Sequence, residues 1–260
     1  MTAPTAEPTT VTAAILVIGD EILSGRTKDK NIGYIAEYCT AIGIDVKEVR
    51  VVPDEEDEII PALNTLRAKY GYVFTTGGIG PTHDDITADC IAKAFGVSID
   101  VDPRARAMLL ERIPEKDLNE ARLRMARIPA GAELIENPVS KAPGFMIGNV
   151  VTMAGVPSVM QAMMDVVSPR LKTGTRMIQV SIEAPGLREG DIGTPYAAIA
   201  KAHPGVIMGS YPMMQDGRFW TRLVLRAKDE SLLAAAETAV VAMVEEYKRP
   251  DAAVTITRGA

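Results

Sequence analysis

A run of small and acidic residues between Thr75 and Thr87 has the clearest chemical content in the sequence. It contains three glycines, a proline, several hydroxyl groups and two adjacent aspartates. It is preceded by a short apolar run, which predicts a buried strand. It is followed by apolar residues at helical spacing, which predict a helix over residues 86–95. Glycines let backbone N–H groups approach an anion closely, and the N-terminus of a helix adds its positive dipole end. We therefore predict that this loop holds a phosphate of a small-molecule ligand.

The loop differs from the common phosphate-binding motifs. No Gly-Lys-Ser/Thr follows the glycines, and no G-x-G-x-x-G opens the first crossover. These absences argue against a P-loop NTPase and against a standard dinucleotide dehydrogenase. The alternative interpretation is a tight turn in which Asp85 caps the following helix, because Asp is a preferred N-cap residue.

Acidic residues also follow the first predicted strand. Asp20 and Glu21 come directly after that strand, and Asn31 follows the next loop. At the carboxyl edge of a parallel sheet, we expect these carboxylates to face the same crevice as Asp84. Two or three carboxylates beside a phosphate are the usual ligands of Mg²⁺ or a similar hard ion. The alternative is a solvated turn with Asn31 as a helix cap, and Asp54 after the second strand is also interpreted as a cap.

A third candidate cluster lies between residues 137 and 145. Lys141 can reach a phosphate as a point charge, while Pro143 and Gly144 restrict the shape of the loop. The two histidines of the chain have no Cys or His partner at ligand spacing. A histidine-based zinc site is therefore not expected.

Short apolar runs alternate with amphipathic segments in the first part of the chain. Three repeats of strand and helix predict a doubly wound, mostly parallel α/β sheet. Two helices are then expected over residues 103–113 and 117–128, and a hairpin turn at Gly148-Asn149. A second set of patterns begins near Thr173-Gly174, the expected hinge. The predicted organisation is a disordered tail over 1–12, an α/β domain over 13–172, a small α+β domain over 173–250 and a tail over 251–260.

The composition narrows the partners of the protein. A net charge of -6 argues against nucleic acid or an anionic membrane as the main partner. No segment approaches the length of a membrane span, and the first residues lack the features of a signal peptide. Cys39 and Cys90 fall on the apolar spacing of predicted helices, so both are expected to be buried free thiols. A cytoplasmic location is the resulting prediction.

These motifs together resemble a known family. The segments Gly19-Asp20-Glu21-Ile22-Leu23, Thr76–Thr87 and Ala142-Pro143-Gly144-Phe145, with Asn31, are similar to the molybdopterin-binding-like domain of the competence/damage-inducible protein A family. The resemblance covers about residues 13–171, and Gly209-Ser210-Tyr211-Pro212 resembles the second, smaller domain of that family. It implies a three-layer α/β/α domain and a homo-oligomer, either a dimer or a trimer.

The resemblance also implies ligands and residue roles. The shared domain is associated with metal-dependent cleavage of ADP-ribose-type pyrophosphates, and relatives in molybdenum-cofactor biosynthesis bind or adenylylate molybdopterin. On this analogy a divalent ion (Mg²⁺, Mn²⁺ or Co²⁺) polarises the pyrophosphate and activates water. The implied catalytic residues are Asp84 and Asp85, and the implied metal ligands are Asp20, Glu21 and Asp84. The implied ligand-binding residues are Thr76, Gly77, Gly78, Gly80, Pro81, Thr82, Asn31, Lys141, Pro143 and Gly144.

Two positions depart from the family pattern. Val159 stands where the family often has a glutamate, and Val139-Ser140-Lys141 replaces a frequent Val-Gly-Thr. Three hypotheses follow: a metal-dependent nucleotide pyrophosphatase, a molybdopterin-binding or adenylyl-transfer protein, and a non-catalytic member of the family. The two-domain layout favours the first, and Val159 favours the third. The nicotinamide-nucleotide amidohydrolase activity of longer members is not expected.

Overall fold

A computed structural model of the chain describes residues 9–259. The chain divides after Thr173 into two compact units, one of residues 10–173 and one that contains residues 174–259. The boundary lies one residue beyond the predicted end of the α/β domain. The predicted N-terminal tail falls mostly outside the described residues, but Val11 and Thr12 belong to the first strand and not to a tail.

The first unit is built around a sheet of six strands in the order β2-β1-β3-β8-β7-β6. Strands β2, β1, β3 and β8 are parallel, and the last two pairs are antiparallel. A separate pair, β4 and β5, is antiparallel. The strands are β1 (Val11–Ile18), β2 (Ile44–Val52), β3 (Tyr72–Thr76), β4 (Ile99–Val101), β5 (Arg127–Pro129), β6 (Glu133–Ile135), β7 (Gly144–Ile147) and β8 (Val150–Met153).

Helices cover both faces of this sheet. Every residue of β1 from Ala13 to Ile18 is buried, and alternate side chains belong to two different hydrophobic clusters. Helices α3, α4 and α5 contribute to the first cluster, and α2 and α7 to the second. The predicted three-layer α/β/α fold is therefore confirmed. The helices are α1 (Asp20–Leu23), α2 (Asn31–Ala41), α3 (Glu56–Lys69), α4 (Thr87–Phe95), α5 (Pro103–Leu110), α6 (Glu120–Arg124) and α7 (Pro157–Val167).

The order of the strands defines where a ligand site is expected. The chain passes from β1 to its neighbour β2, and then crosses to β3 on the other side of β1. The strand order therefore reverses between β1 and β3. Crevices at the carboxyl ends of such strands are the usual ligand sites of open α/β sheets. The loops after Ile18 and Thr76 both lie there.

One predicted helix of the first unit is wrong. The segment over residues 117–128 forms only the short helix α6, and residues 127–129 form β5, which pairs with β4. Pairing with β4 satisfies the backbone groups of this segment through a distant strand, which local apolar spacing cannot reveal. The predicted hairpin turn at Gly148-Asn149 is confirmed, because it joins the antiparallel strands β7 and β8.

The second unit contains a four-stranded antiparallel sheet in the order β10-β11-β9-β12. Side chains of the sheet and of helices α8 and α9 form one hydrophobic cluster. The predicted tail over 251–260 is wrong, since residues 255–259 pair with β9. The elements are β9 (Ile178–Pro185), α8 (Glu189–Ala202), β10 (Ile207–Gln215), β11 (Arg218–Ala227), α9 (Glu230–Tyr247) and β12 (Thr255–Gly259).

Candidate functional site

The glycine loop packs directly against the end of β1. Gly77 has a φ of 100°, and a Cβ at this position would lie 2.0 Å from the carbonyl oxygen of Ile18. Gly78 has a φ of 65°, and its Cβ would lie 2.1 Å from Oγ1 of Thr87. Both positions combine a positive φ with a contact that leaves no room for a side chain. The two glycines therefore bring the loop backbone against the strand end and the start of α4.

Three consecutive backbone donors of this loop are free. The N–H of Gly77 donates to the carbonyl of Met153 at 3.3 Å. The N–H groups of Gly78, Ile79 and Gly80 donate to no acceptor within residues 9–259. Backbone donors that are not used inside a protein bind water or a ligand, and consecutive ones suit an anion. The loop therefore presents three unused backbone donors at the switch point.

Asp85 organises the second half of the loop. Its Oδ2 atom accepts hydrogen bonds from the backbone N–H of Thr82 at 2.8 Å and from the Thr82 hydroxyl at 2.6 Å. The N-cap of α4 is Ile86, without a side-chain cap. The interpretation of Asp85 as a helix cap is therefore wrong. Because Asp85 already engages both donors of Thr82, Thr82 holds the loop conformation in this structure.

Asp54 lies at the centre of the acidic side of the site, although the sequence suggested a helix cap. Helix α3 begins after Glu55, and Asp54 instead accepts the backbone N–H of Asp20 at 3.0 Å. Burial raises the pKa of Asp54, and the nearby charges of Asp20, Glu21 and Asp84 raise it further. Sequence reasoning missed this residue. The available signal was its place after β2, which neighbours β1 in the sheet.

These carboxylates do not form a metal centre in the described structure. Among residues 9–259, no three His, Cys, Asp or Glu side chains are grouped so that they could hold a metal ion. Asp84 and Asp20 are exposed to solvent, and Asp54 uses one carboxylate oxygen for the backbone of Asp20. The described residues therefore provide no preformed metal centre of three side chains, and we derive no step through a metal.

Asn31 is buried at the start of α2 and contacts the loop after β8. Its Nδ2 atom donates to the carbonyl of Gly155 at 2.8 Å, while its Oδ1 atom is buried without a partner in the described part of the chain. Asp29 accepts the N–H groups at the helix start, so Asn31 is not the cap. Orphaned buried oxygens call for water or a ligand donor. The Oγ1 atoms of Thr75, Thr76, Thr87 and Thr152 are orphaned in the same way.

Two arginines that sequence reasoning missed lie on the other side of the loop. Arg124 donates from Nε to the carbonyl of Asp85 at 3.1 Å. Arg127 forms an ion pair with Asp89, with an N–O distance of 2.7 Å. No sequence signal linked these arginines to the loop, because their segment was expected to be helical throughout. A small crevice beside the loop is lined by Gly78, Ile79, Gly80, Arg124 and Pro143.

Lys141 does not contact the glycine loop in this structure. Its Nζ atom lies 2.8 Å from a carboxylate oxygen of Glu111 and 3.1 Å from one of Glu136. Hydrogen bonds to these two carboxylates raise the pKa of Lys141. The backbone carries a φ of 66° at this residue. Gly144, three residues after Lys141, is buried in β7. Pro81 is exposed in the glycine loop.

The sheet and the loop define the class of this protein. It is an α/β protein with a glycine-rich loop at the switch point of a mostly parallel sheet, followed by a small α+β unit. No helix among the described residues is long and apolar enough to cross a membrane. Residues 14–173 match the family described as a probable molybdopterin binding domain. Residues 182–251 match the family described as the middle domain of FAD synthase.

Individual relatives agree with these matches. A protein of Aeropyrum pernix is 31% identical over 248 residues, which is 91% of this chain and 92% of the relative. A CinA-like protein of Desulfosudis oleivorans is 34% identical over 211 residues, but these span only 51% of that longer protein. The crystal structure of the protein CinA with unknown function from Thermoplasma acidophilum has a TM-score of 0.59 and 36% identity, covering 62% of this chain and 98% of that one. The chain therefore belongs to the CinA family and carries its molybdopterin-binding-like domain.

Proposed function

We propose that the chain binds a phosphate-bearing pterin of the molybdopterin type at the glycine loop, beside the carboxyl ends of β1 and β3. The observation that carries this proposal is the row of free N–H groups at Gly78, Ile79 and Gly80. A hydrogen bond from a neutral donor to a charged group contributes roughly 1.5–3 kcal/mol. Three such donors suit one phosphate group.

The charges around the loop support an orientation for this ligand. The carboxylates of Asp54, Asp20 and Glu21 lie at the β1 and β2 side, where they repel a phosphate. On the other side, Arg124 lines the crevice and attracts one, although it also lies 3.7 Å from a carboxylate oxygen of Asp89 in the same lining. The phosphate therefore points toward Arg124, and the ring points toward the carboxylates. Ring N–H and amino groups of a pterin can donate hydrogen bonds to carboxylate oxygens. The pterin ring is therefore suited to the side of the site that carries the carboxylates.

Fluorescence titration with a stable pterin tests the proposal. The probes are 6-hydroxymethylpterin phosphate and the same pterin without its phosphate. We expect the phosphorylated probe to bind at least about tenfold more tightly, which corresponds to about 1.4 kcal/mol. Gly78→Ala is expected to abolish this preference, because its side chain occupies the space against Thr87.

Gly131→Ala is the matched control for this experiment. Gly131 has a φ of 83° in the turn between β5 and β6, and a Cβ there meets nothing within 4 Å. The control therefore carries the same backbone penalty without filling the loop, and it should keep the preference for phosphate. Equal affinity for both probes in the unchanged protein would refute phosphate recognition by this loop.

ADP-ribose pyrophosphatase activity is the second candidate from the sequence. Its support is the cluster of acidic side chains around Asp54, but no group of three metal ligands forms among residues 9–259. We therefore rank this activity below pterin binding. Incubation of the protein with ADP-ribose, with Mg²⁺, Mn²⁺ or Co²⁺ and with EDTA, distinguishes the two functions. Metal-dependent release of AMP that is lost in Asp84→Ala would reverse the ranking.

A further inference from the structure

The second unit contains a large open cavity that the glycine loop does not share. Its volume is about 1260 Å³, and every residue that lines it lies between Glu183 and Thr255. The walls come from the β9–α8 turn, the β10–β11 hairpin and the segment after α9. Ligand pockets of proteins typically measure about 300–1,000 Å³. The cavity is therefore large enough for a nucleotide.

Three guanidinium groups line this cavity. Arg188 lies before α8, Arg218 begins β11 and Arg249 follows α9. None of the three forms an ion pair with a carboxylate within the described residues. By contrast, Arg222 on the same sheet is paired with Glu183. Guanidinium groups recognise phosphates by paired hydrogen bonds, so unpaired ones in a cavity suit an anionic ligand.

Aromatic side chains supply a second kind of contact. Phe219 and Trp220 both line the cavity, and Phe219 is 63% exposed. The Nε1 atom of Trp220 is buried and has no hydrogen-bond partner in residues 9–259. An indole N–H usually has an acceptor when it is buried. A planar ring can stack on the exposed side chain of Phe219.

Carboxylates also line the cavity, and they restrict the class of anion. Glu183 is paired with Arg222, and Glu189 accepts a hydrogen bond from the Ser210 hydroxyl. Asp216 and Asp251 are exposed. A simple polyanion gains little where acidic and basic groups alternate. A ligand with a phosphate for the arginines and amino donors for the carboxylates fits this lining better.

We propose that this cavity is a second ligand site and that it takes a nucleoside phosphate. The phosphate contacts the arginines, the base stacks on the aromatic side chains, and the amino groups of the base donate to the carboxylates. The proposal does not depend on pterin binding by the glycine loop, because all its residues lie in the second unit. Trp220 is the only tryptophan of the chain, so its fluorescence reports on this cavity.

Titration of the full chain with AMP, adenosine and inorganic phosphate tests the site. Tryptophan fluorescence and calorimetry follow each titration. We expect saturable binding of AMP, and affinities at least about tenfold weaker for adenosine and for phosphate alone. Arg188→Gln and Arg249→Gln should each weaken AMP binding at least about tenfold. Phe219→Ala, followed by calorimetry, should also weaken it, because the exposed stacking surface is lost.

Two control variants separate this site from other effects. Arg226 lies on β11, is exposed and does not line the cavity, so Arg226→Gln should leave AMP binding unchanged. Gly131→Ala should also leave it unchanged, because Gly131 lies in the other unit and outside the glycine loop. Absence of saturable AMP binding would overturn the proposal. The proposal would also be overturned if Arg226→Gln weakened AMP binding as much as Arg249→Gln does.

Discussion

Replacement of Gly77 by alanine is the sharpest test of the loop geometry. The new Cβ would lie 2.0 Å from the carbonyl oxygen of Ile18, which belongs to the backbone of β1. A flexible side chain could rotate away from such a contact, but a backbone carbonyl in a paired strand cannot. The end of β1 and the loop after β3 must therefore separate.

The expected cost has two parts. A left-handed conformation costs an L-residue about 1–2 kcal/mol, and overpacking of a close contact costs about 1–3 kcal/mol. Together, Gly77→Ala should lower the free energy of unfolding by roughly 2–5 kcal/mol. Gly131 has a φ of 83°, and a Cβ there would have no neighbour within 4 Å. Gly131→Ala should therefore carry only the cost of the left-handed conformation.

Urea denaturation followed by far-ultraviolet circular dichroism measures both variants. Trp220 lies in the second unit, so its fluorescence follows that unit separately. We expect Gly77→Ala to be less stable than Gly131→Ala by about 1–3 kcal/mol, the overpacking part. Equal losses in the two variants would show that the loop and β1 can separate without cost, and the reasoning on close approach would then be wrong.

Three further predictions concern the same unit. Because burial raises the pKa of Asp54, its ionised form costs stability above that pKa, so Asp54→Asn should raise the free energy of unfolding at neutral pH. That gain should shrink as the pH falls through the pKa, and urea melts over a pH series measure it. Arg127→Met and Asp89→Asn should each cost about 1 kcal/mol, and the double variant should cost less than their sum, as a double-mutant cycle of unfolding free energies will show. Burial raises the pKa of Cys39 and Cys90 to about 12, so neither thiol should react with a thiol reagent at mildly alkaline pH until the protein is denatured.

Several features followed from local sequence alone. The buried strands β1 and β3 appear as continuous apolar runs, since both faces of each strand are covered. The glycines of the loop after β3 indicated close backbone approach, and Gly77 and Gly78 have that geometry. The free, buried state of Cys39 and Cys90 also followed, because both lie on the apolar side of their helices.

Other features depend on contacts between distant segments. The last strand of the second unit, β12, pairs with its first strand, β9, which lies about 70 residues earlier in the sequence. The short, mostly polar sequence of β12 does not predict a strand. Val159, which replaces a glutamate of the family pattern, lies on the buried side of α7, where it packs into the core. An apolar residue there is stabilised by packing, and its effect on ligand chemistry remains a prediction.

The sequence by itself determined the α/β class of the first unit and the position of its glycine loop. Both arise from residues that are neighbours along the chain, where spacing and backbone preference act directly. Only the tertiary structure decided which charges face the loop. The carboxylate of Asp54 meets Asp20 because β2 lies beside β1, and Arg124 meets Asp85 across 39 positions of sequence. Strand order and crossover packing bring these groups together, and local spacing carries no information about either.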